Sequence, residues 1–443
     1  MKKPHNPGPT IRISLMLGSL LYLALCLAGG LELSYALQSV LVHIFILLAS
    51  ILVIRHVFLL LSAWVETSLP PAMWPRKDDW PPMVSIIIPA YNEEEVIEAA
   101  MLSLLAVEYD NYEIIMVDDG STDNTVPLVR HIIRHHNPRQ IPVRIIAQSN
   151  GGKANALNTG LIHASGEFVL CVDSDSRIAR DSLHKGLRHF RNPRIAAVAG
   201  NIVVANERGL LTGFQQLEYM ISQNFIRRGL SLFGMVTVIP GPVGLFRKSA
   251  LCGVHGYDEN KQLFAEDADV TVRLLAQGWH ITSDEGMQAV TEAPATINGL
   301  LRQRYRWKRG IYQVLHNNFF SLITAPDSRR PLIATVLVLE GFLFEVLGFG
   351  VTLFMLSNII LLGEIKLLLG WLALLFMLDM LTLMFVVRPG QFLKYLPLLI
   401  LQKLTYTFAL QTWGVLALLD EWRSSAMTWD KIERTGALQE VLT

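Results

Sequence analysis

Two aspartates spaced two residues apart follow an apolar segment in the middle of the chain. Asp173 and Asp175 come directly after residues 167–172 (EFVLCV), which are predicted to form a buried strand. Carboxylates at positions i and i+2, where a strand gives way to a loop, can both face one cation. One or two carboxylates completed by phosphate oxygens are the usual magnesium arrangement. The pair predicts a Mg²⁺ or Mn²⁺ site, with a solvated acidic turn as the alternative.

Polar loops also follow two earlier predicted strands. Residues 89–93 (PAYNE) end the first strand, and residues 118–123 (DDGSTD) end the second. One alternative is a pair of helix N-caps, because Asn, Asp, Ser and Thr all cap well. Capping needs only one such residue, whereas five of the six in the second loop are polar. A carboxylate at a strand end can accept the N–H of a pyrimidine ring, so this density of polar groups favours a ligand site.

A glycine pair precedes a lysine after the third predicted strand, in residues 148–153 (QSNGGK). Backbone N–H groups and an ammonium at a helix N-terminus can approach an anion. The spacing differs from the phosphate-binding loop of nucleotide hydrolases. A simple glycine turn is an equally good interpretation of this motif.

Two further polar clusters lie downstream. Residues 265–269 (AEDAD) precede a predicted helix over 270–277, and Asp269 is expected to cap it. Residues 303–309 (QRYRWKR) place four cations and two aromatic rings just before an apolar region. The alternative for this second cluster is a belt of interfacial membrane anchors.

The elements that position these residues alternate in type. Short apolar strands are predicted at 84–89, 112–117, 143–147 and 167–172, and helices at 93–105, 125–135 and 153–163. Such alternation predicts an α/β fold with a mostly parallel, doubly wound sheet. Ligands bind outside the carboxyl ends of the strands in such sheets. All the strand-end motifs above should therefore meet at one edge.

Charge is scarce and unevenly distributed along the 443 residues. Charged residues make up 17% of the chain, against about a quarter in average proteins. Residues 1–63 carry five charges and residues 331–419 carry eight. A soluble domain between two membrane-embedded ends is expected, which excludes disorder, a fibrous repeat and a purely soluble enzyme. The zero net charge argues against nucleic acid as a partner, and three distant cysteines indicate neither a disulfide framework nor a zinc site.

The apolar ends predict a particular topology. Residues 13–31 and 35–54 can form a helical hairpin, and no convincing cleavage site makes the first of them a removable signal peptide. The basic N-terminus should be cytosolic, so the domain after two crossings is cytosolic too. Apolar stretches follow at 332–362, 367–387 and 392–419, the last being one tilted helix or an interfacial helix plus a crossing. Charges inside them, such as Glu340 and Asp379, should face a protein interior, a polar path or the interface.

The order of the six motifs resembles that of processive family 2 glycosyltransferases. PAYNE, DDGSTD, GGK, D-x-D, E-D and Q-x-x-R-W occur in that order before apolar helices, over about residues 82–310. The family comprises membrane synthases of poly-N-acetylglucosamine, hyaluronan, chitin oligosaccharides and cellulose. Each motif is weak, but six in order are specific. The resemblance implies a GT-A nucleotide-sugar domain inserted between N- and C-terminal transmembrane helices.

The resemblance also implies roles for individual residues. Asp267 matches the general base, and Asp175 matches the metal ligand. Ala265 stands where relatives often have Thr, and the loop at Gly241 matches only loosely, so it is left out of the site. The remaining matches are the donor-binding residues Ala90, Tyr91, Glu93, Asp119, Lys153 and Asp173, and the acceptor and diphosphate residues Gln303, Arg306 and Trp307.

The expected function is inverting, metal-dependent transfer from a UDP-sugar to a growing β-linked polysaccharide, with translocation across the membrane. An N-acetylglucosamine polymer is the first choice. The main alternative is a single transfer to a lipid or polyprenyl-phosphate acceptor. A transporter or receptor would leave Asp267 unexplained.

The expected location is the plasma (bacterial inner) membrane. The expected partners are the bilayer, the donor, the polysaccharide and a small membrane accessory subunit. The predicted divisions are a transmembrane hairpin (1–64), a linker (65–81), the catalytic domain (82–310), an interfacial segment (311–330), C-terminal helices (331–420) and a tail (421–443).

Overall fold

The computed structural model describes residues 35–69, 81–207, 209–260, 262–324, 330–362, 365–387 and 390–423. Within this part of the chain, contacts separate one compact unit at 59–338 from a second one, made of 35–58 and 339–423. The predicted helix at 13–31, residues 70–80 of the predicted linker and the tail from 424 onward lie outside the described residues.

The larger unit is built on one eight-stranded sheet. Its strands, β1 to β8, are Val84–Ala90, Tyr112–Asp118, Val143–Ala147, Phe168–Cys171, Ser176–Ile178, Ile195–Val204, Gly244–Arg247 and His280–Thr291. Their order across the sheet is β3-β2-β1-β4-β7-β6-β8-β5. The first four are mutually parallel, with Val84 beside both Tyr112 and Phe168. β7 runs antiparallel to β4 and β6, and β5 runs antiparallel to β8, whereas β6 and β8 are parallel. Six of the eight strands therefore share one direction, so the sheet is mostly parallel, as predicted.

The helices, α1 to α15, are Tyr35–Ser68, Ile97–Leu105, Thr125–His135, Lys153–His163, Ser182–Leu187, Leu210–Ile221, Arg228–Ser231, Lys248–Gly253, Glu266–Ala276, Ile297–Thr324, Arg330–Val338, Phe344–Leu362, Ile365–Val386, Phe392–Leu401 and Thr407–Trp422. A 3₁₀ turn covers Arg188–Arg191. Three π-helical segments cover Ser222–Arg227, Leu339–Leu343 and Gln402–Tyr406. The predicted bounds of α3, β3 and α4 are reproduced.

The central strands are mostly apolar because helices cover both faces of the sheet. Along β1, Ile86 and Ile88 enter one apolar core, whereas Ile87 enters the other. Side chains alternate between the two faces of a strand, so both alternate sets must be apolar. The predicted α/β fold class is confirmed.

The long helix α10 continues across a predicted domain boundary. It begins at Ile297 and ends at Thr324, so residue 310 lies in its middle. Residues 311–324, predicted as a separate interfacial segment, prolong the helix that carries the Q-x-x-R-W motif.

Three helices of the described chain are long and apolar enough to cross a membrane. They cover Val42–Ser68, Leu332–Ser357 and Leu368–Val386, and Phe392–Leu401 is a shorter apolar helix. Pro397 lies within this shorter helix, which the π-helical segment joins to α15. A continuous helical path through the third predicted C-terminal stretch is thus observed.

Charged side chains within these apolar helices are paired with charges from other helices. Arg55 Nε donates to Glu340 Oε1 over 2.8 Å. Lys403 Nζ lies 2.9 Å from Asp379 Oδ2. Pairing within the helical unit offsets part of the cost of placing charge in an apolar environment. This matches the expectation that such residues face a protein interior.

Candidate active site

Charged side chains from three separate parts of the sequence converge at the carboxyl end of β4. Lys153 is the first residue of α4, Asp173 follows β4, and Glu266 is the first residue of α9. Lys153 Nζ lies 2.5 Å from Asp173 Oδ1 and 3.4 Å from Glu266 Oε1. Gly241, in the loop before β7, also approaches this group, since an added Cβ would lie 2.8 Å from Lys153 Nζ. A larger residue at this position would require the lysine ammonium to shift.

Burial and neighbouring charge shift the pKa values of this cluster. Burial raises the pKa of Asp173; Lys153 opposes the shift, and Asp175 and Glu266 add to it. Burial raises the pKa of Asp267 to about 6, with Glu266 adding to the rise and Lys153 opposing it. Although burial favours its neutral amine, the nearby carboxylates of Asp173 and Glu266 hold the pKa of Lys153 above its usual value. The cluster therefore contains one ammonium group and several carboxyl groups.

The donor set fits a divalent cation bound together with phosphate oxygens. Within the described residues, no three or more His, Cys, Asp or Glu side chains are grouped to hold a metal by themselves. Mg²⁺ typically keeps waters and needs only one or two carboxylates plus substrate phosphates. Asp173 and Asp175 would supply these carboxylates, and the excess negative charge around them favours a cation.

The polar loops after β1 and β2 are tied to each other. The backbone N–H of Asn92 donates to Ser121 Oγ over 3.0 Å, and that of Thr122 donates to Asn92 Oδ1 over 2.8 Å. The backbone N–H of Glu93 donates to Thr125 Oγ1 over 2.8 Å. The residues directly before α2 and α3 make no capping side-chain bond, but Asp123 Oδ1 accepts from the N–H of Thr125, the first residue of α3, over 3.0 Å. Capping thus accounts for Asp123, and the other polar groups of the two loops fix the shape of the loop edge.

Two residues predicted to bind the sugar donor, Ala90 and Tyr91, lie at the end of β1 and differ in solvent exposure. Ala90 is buried at the end of β1, whereas Tyr91 presents 43% of its surface to solvent. An aromatic ring exposed at the carboxyl end of a central strand is available for stacking with a flat ligand.

Asp119 is engaged by the glycine loop that follows β3. Its Oδ1 accepts bonds from the backbone N–H of Gly151 and from Gln148 Nε2, over 2.8 and 2.7 Å. Its Oδ2 accepts from the N–H of Gly152 over 2.8 Å, and Gly152 has a φ of 92°. These two N–H groups are therefore occupied by Asp119, which favours the glycine-turn interpretation of the motif. Three of the roughly four acceptor positions of the carboxylate are filled, so Asp119 holds the loop that begins at the lysine helix.

The two aspartates at the start of α9 differ in environment. Asp267 Oδ1 accepts a bond from the N–H of Ala268 over 2.8 Å. Asp269 is buried, and its Oδ2 accepts from Arg273 Nε over 2.7 Å while its Oδ1 accepts from Asn318 Nδ2 over 3.2 Å. The predicted capping role of Asp269 is wrong, because the helix already begins at Glu266 and places Asp269 within its first turn. Asp269 instead ties α9 to itself and to α10.

The Q-x-x-R-W motif lies on α10, which packs against the loop before Asp267. Arg304 is buried, with its guanidinium 4.3 Å from the centroid of the Trp307 ring. Arg304 Nη1 donates to Gln303 Oε1 over 2.9 Å, and Nη2 donates to Glu218 Oε2 over 2.8 Å. Arg306 is half-buried on the same helix. Arg304 thus orients Gln303 and Trp307, both predicted to bind the acceptor.

The structure brings Lys153, Asp173, Asp175 and Asp267 into one electrostatic cluster. Sequence reasoning missed Glu266 and Gly241, which lie beside this cluster, and Arg304, which contacts Gln303 and Trp307. Glu266 and Arg304 were inside recognised motifs but had no partner that the sequence could reveal. Gly241 was set aside because its loop matched loosely, although a glycine beside a proline was a local signal.

Comparisons with known proteins agree with this architecture. Residues 85–253 match the family model described as glycosyl transferase family 2. Poly-beta-1,6-N-acetyl-D-glucosamine synthase of Staphylococcus aureus (strain COL) is 35% identical over 250 residues, covering 56% of this chain and 59% of that protein. The enzyme of the same name from Staphylococcus epidermidis is 35% identical over 241 residues, covering 54% and 57%. The chain thus spans less than two thirds of the length of these relatives.

A solved structure shares the fold. A mannosyltransferase from Pyrobaculum calidifontis, in complex with GDP-Man and Mn²⁺, superposes with a TM-score of 0.57 at 20% identity, covering 86% of this chain and all of its own. The match of residues 85–253 to the glycosyl transferase family 2 model confirms the resemblance predicted from the six motifs.

Proposed function

We propose that this chain is an inverting, metal-dependent synthase that transfers sugar from a UDP-sugar to a growing β-linked polysaccharide. The observation that carries the proposal is the convergence of Lys153, the Asp173–Asp175 pair and Asp267 at one sheet edge. Identity of 35% to two poly-beta-1,6-N-acetyl-D-glucosamine synthases supports N-acetylglucosamine as the sugar.

On the donor side, a diphosphate must leave the anomeric carbon of the sugar. Lys153 would bind the departing oxygens, and Arg306 is proposed to add a second positive charge. Preorganised cations of this kind stabilise charge that develops in the transition state. Asp175, with Asp173, would hold a divalent cation that neutralises part of the diphosphate charge. The fold-sharing mannosyltransferase, with Mn²⁺ and GDP-Man bound, is in keeping with this assignment.

On the acceptor side, a hydroxyl must lose its proton as it attacks. Asp267 is proposed to take that proton, and a pKa of about 6 leaves it mostly ionised at neutral pH while close enough to accept a proton efficiently. Attack by the acceptor on the face opposite the leaving group inverts the anomeric centre. An α-linked donor then yields a β-linked product.

The remaining residues would position the two substrates. Tyr91 is proposed to stack on the uracil ring, with Ala90, Glu93 and Asp119 shaping its site. Gln303 and Trp307 are proposed to contact the acceptor sugar, because Arg304 holds both of them on α10.

The apolar helices suggest where the reaction takes place. We infer that they span the plasma membrane several times, keep the catalytic domain on the cytosolic side and pass the polymer outward. Three helices of sufficient length and hydropathy support this inference. A small membrane accessory subunit remains a proposed partner.

The decisive experiment identifies the product. The full chain, reconstituted in nanodiscs, is incubated with radiolabelled UDP-N-acetylglucosamine or another UDP-sugar, and the product is sized and digested with linkage-specific hydrolases. We expect a polymer that a β-1,6-N-acetylglucosaminidase degrades, and no product from the Asp267→Asn variant. Products carrying a single sugar on lipid would overturn the polymer proposal in favour of a lipid or polyprenyl-phosphate acceptor.

A further inference from the structure

A polar cavity outside the candidate active site lies between the middle of β6 and the middle of β8. It has an empty volume of about 440 Å³, including the part open to solvent, and its lining includes Gly200, Asn201, Asn224, Arg227 and Asp284. We name it the β6–β8 cleft. The wall opposite the sheet is the π-helical segment Ser222–Arg227, and such segments occur frequently at functional sites.

Most charges in the β6–β8 cleft already have partners. Asp284 accepts bonds from Arg188 Nη2 and His189 Nε2, each over 2.7 Å. Arg228 is ion-paired with Glu66 and, over 2.8 Å, with Glu285. These contacts form a rigid polar frame whose groups stabilise one another.

Two side chains in the β6–β8 cleft retain hydrogen-bonding capacity. Arg227 Nη1 donates to the carbonyl of Gly200 over 2.9 Å, but no carboxylate of the described residues is ion-paired with Arg227. The half-buried Asn224 makes no hydrogen bond to another described residue. An amide has two donor hydrogens and an acceptor oxygen, and a guanidinium has five donor hydrogens. Polar groups in a cleft that lack protein partners are suited to a ligand.

The charge balance indicates the chemical class of that ligand. The three arginines of the cleft, Arg188, Arg227 and Arg228, are matched by its three carboxylates. A formally neutral cleft exerts little attraction on an anion or a cation. Hydroxyl groups both donate and accept, so they can bond to amide, guanidinium and carboxylate groups alike. A neutral, hydroxyl-rich molecule fits this lining better than a phosphate does.

The cleft adjoins the candidate base but is distinct from the Trp307 region. Burial lowers the pKa of Arg227 to about 10, and the charge of Asp267 opposes this shift, so the two groups interact electrostatically. Trp307 packs against an apolar cluster that includes Val204, at the carboxyl end of β6, whereas Gly200 of the cleft lies four residues earlier on the strand. Four residues of strand span about 13 Å.

We propose that the β6–β8 cleft binds a saccharide unit of the acceptor chain, through Asn224 and Arg227, at a subsite separate from Trp307. The proposal rests on the proposed function, because only a glycan-elongating enzyme presents such an acceptor. Holding a second unit of the chain would keep the acceptor bound between transfers.

The test measures acceptor binding without catalysis. The full chain in nanodiscs is titrated with a β-1,6-linked N-acetylglucosamine hexasaccharide, with no donor present, and the Kd is measured. Asn224→Leu is the main variant, because it removes no hydrogen bond between described residues. Arg227→Gln is the second, and Arg130→Gln on the exposed surface of α3 is its matched control. UDP-sugar affinity is measured in parallel.

Loss of one or two ligand hydrogen bonds should weaken hexasaccharide binding by about 3- to 30-fold in both cleft variants. Binding of UDP-sugar and the control variant should be unchanged. Wild-type affinity in both cleft variants, or displacement of the hexasaccharide by inorganic phosphate, would overturn the proposal. If the wild-type chain polymerises no sugar yet loses hexasaccharide binding on Asn224→Leu, the proposed function fails while the saccharide site stands.

Discussion

Gly310 of α10 lies directly against Ala265, the residue that precedes Glu266 and Asp267. A Cβ added at Gly310 would lie 2.5 Å from Ala265 Cβ and 2.9 Å from Ala265 N. The helix that carries the predicted acceptor residues thus sets the position of the candidate base. A larger side chain at Gly310 or at Ala265 would require the backbone to move.

Gly310→Ala should therefore impair both stability and transfer. Overpacking of this kind costs about 1–3 kcal/mol, and the shifted loop would displace Asp267. The control is Gly299→Ala on the same helix, where the nearest atom is the end of the Thr296 side chain at 3.0 Å. That change should be neutral or stabilising by up to about 1 kcal/mol, because alanine favours helix. Equal melting temperatures and equal activities in the two variants would contradict the contact's importance.

Asp267→Asn should remove catalysis and preserve donor binding. The side chains are nearly the same size, but the amide cannot accept the proton of the acceptor hydroxyl. We expect a loss of about 10²- to 10⁴-fold in transfer rate, with UDP affinity within a factor of about two of the wild type. Transfer rates and UDP titrations check both parts. Near-normal turnover would remove Asp267 from the mechanism.

Asp269→Asn should act through stability. Its carboxylate accepts a charged hydrogen bond from Arg273 and an amide bond from Asn318 in a buried position. Weakening these contacts should lower the free energy of unfolding by about 1–3 kcal/mol, while the transfer rate of the folded protein stays within about threefold. Thermal unfolding and specific activity, measured on the same preparation, separate the two effects. A large loss of turnover at full stability would assign Asp269 to the chemistry.

The transfer rate should rise with pH through about 6 and then level off. The pKa of Asp267 is raised to about 6, and the base must be ionised to act, so activity is lost as pH falls through that value. Glu266→Gln removes a negative neighbour that raises this pKa. The midpoint should then move to lower pH. Rate profiles between pH 4.5 and 8, roughly two units on either side of the pKa, test the direction; an upward or absent shift would exclude this coupling.

Removal of divalent metal should stop transfer. Chelation takes away the charge that offsets the diphosphate, and added Mg²⁺ or Mn²⁺ should restore the rate. Asp175→Asn should raise the metal concentration needed for half-maximal activity by at least about tenfold, because one of the two proposed carboxylate ligands is lost. Metal titrations of the transfer rate measure this. Full activity in excess chelator would favour the alternative interpretation, in which the aspartate pair belongs to a solvated acidic turn.

Much of the catalytic domain was predictable because its signals are local. The strands from Val84 and Tyr112 are continuous apolar runs that end in polar loops, and the helices from Thr125 and Lys153 have clear periodicity and clear ends. A parallel arrangement follows from alternating strands and helices, and it places all the strand-end motifs at one edge. The family resemblance then depended only on the order of those motifs.

Partner choice was not predictable, because it depends on distances between residues far apart in the sequence. A short motif cannot show that the glycine N–H groups bind Asp119 instead of an external anion, nor that Asp269 accepts a hydrogen bond from Asn318. Capping and ion pairing use the same residue types. The antiparallel direction of β7 was not predictable either, since strand direction is decided by the packing of the whole sheet.

The sequence by itself determined the α/β class, the order of the motifs, the apolar helices and the identity of the chemically competent residues. These follow from side-chain type and spacing, which are properties of short segments. Only the tertiary structure decided that Glu266 joins Lys153, that Gly310 lies against Ala265 and that Arg227 faces a neutral cleft. Each of these depends on the close packing of segments tens to hundreds of residues apart, and packing complementarity is a property of the assembled core.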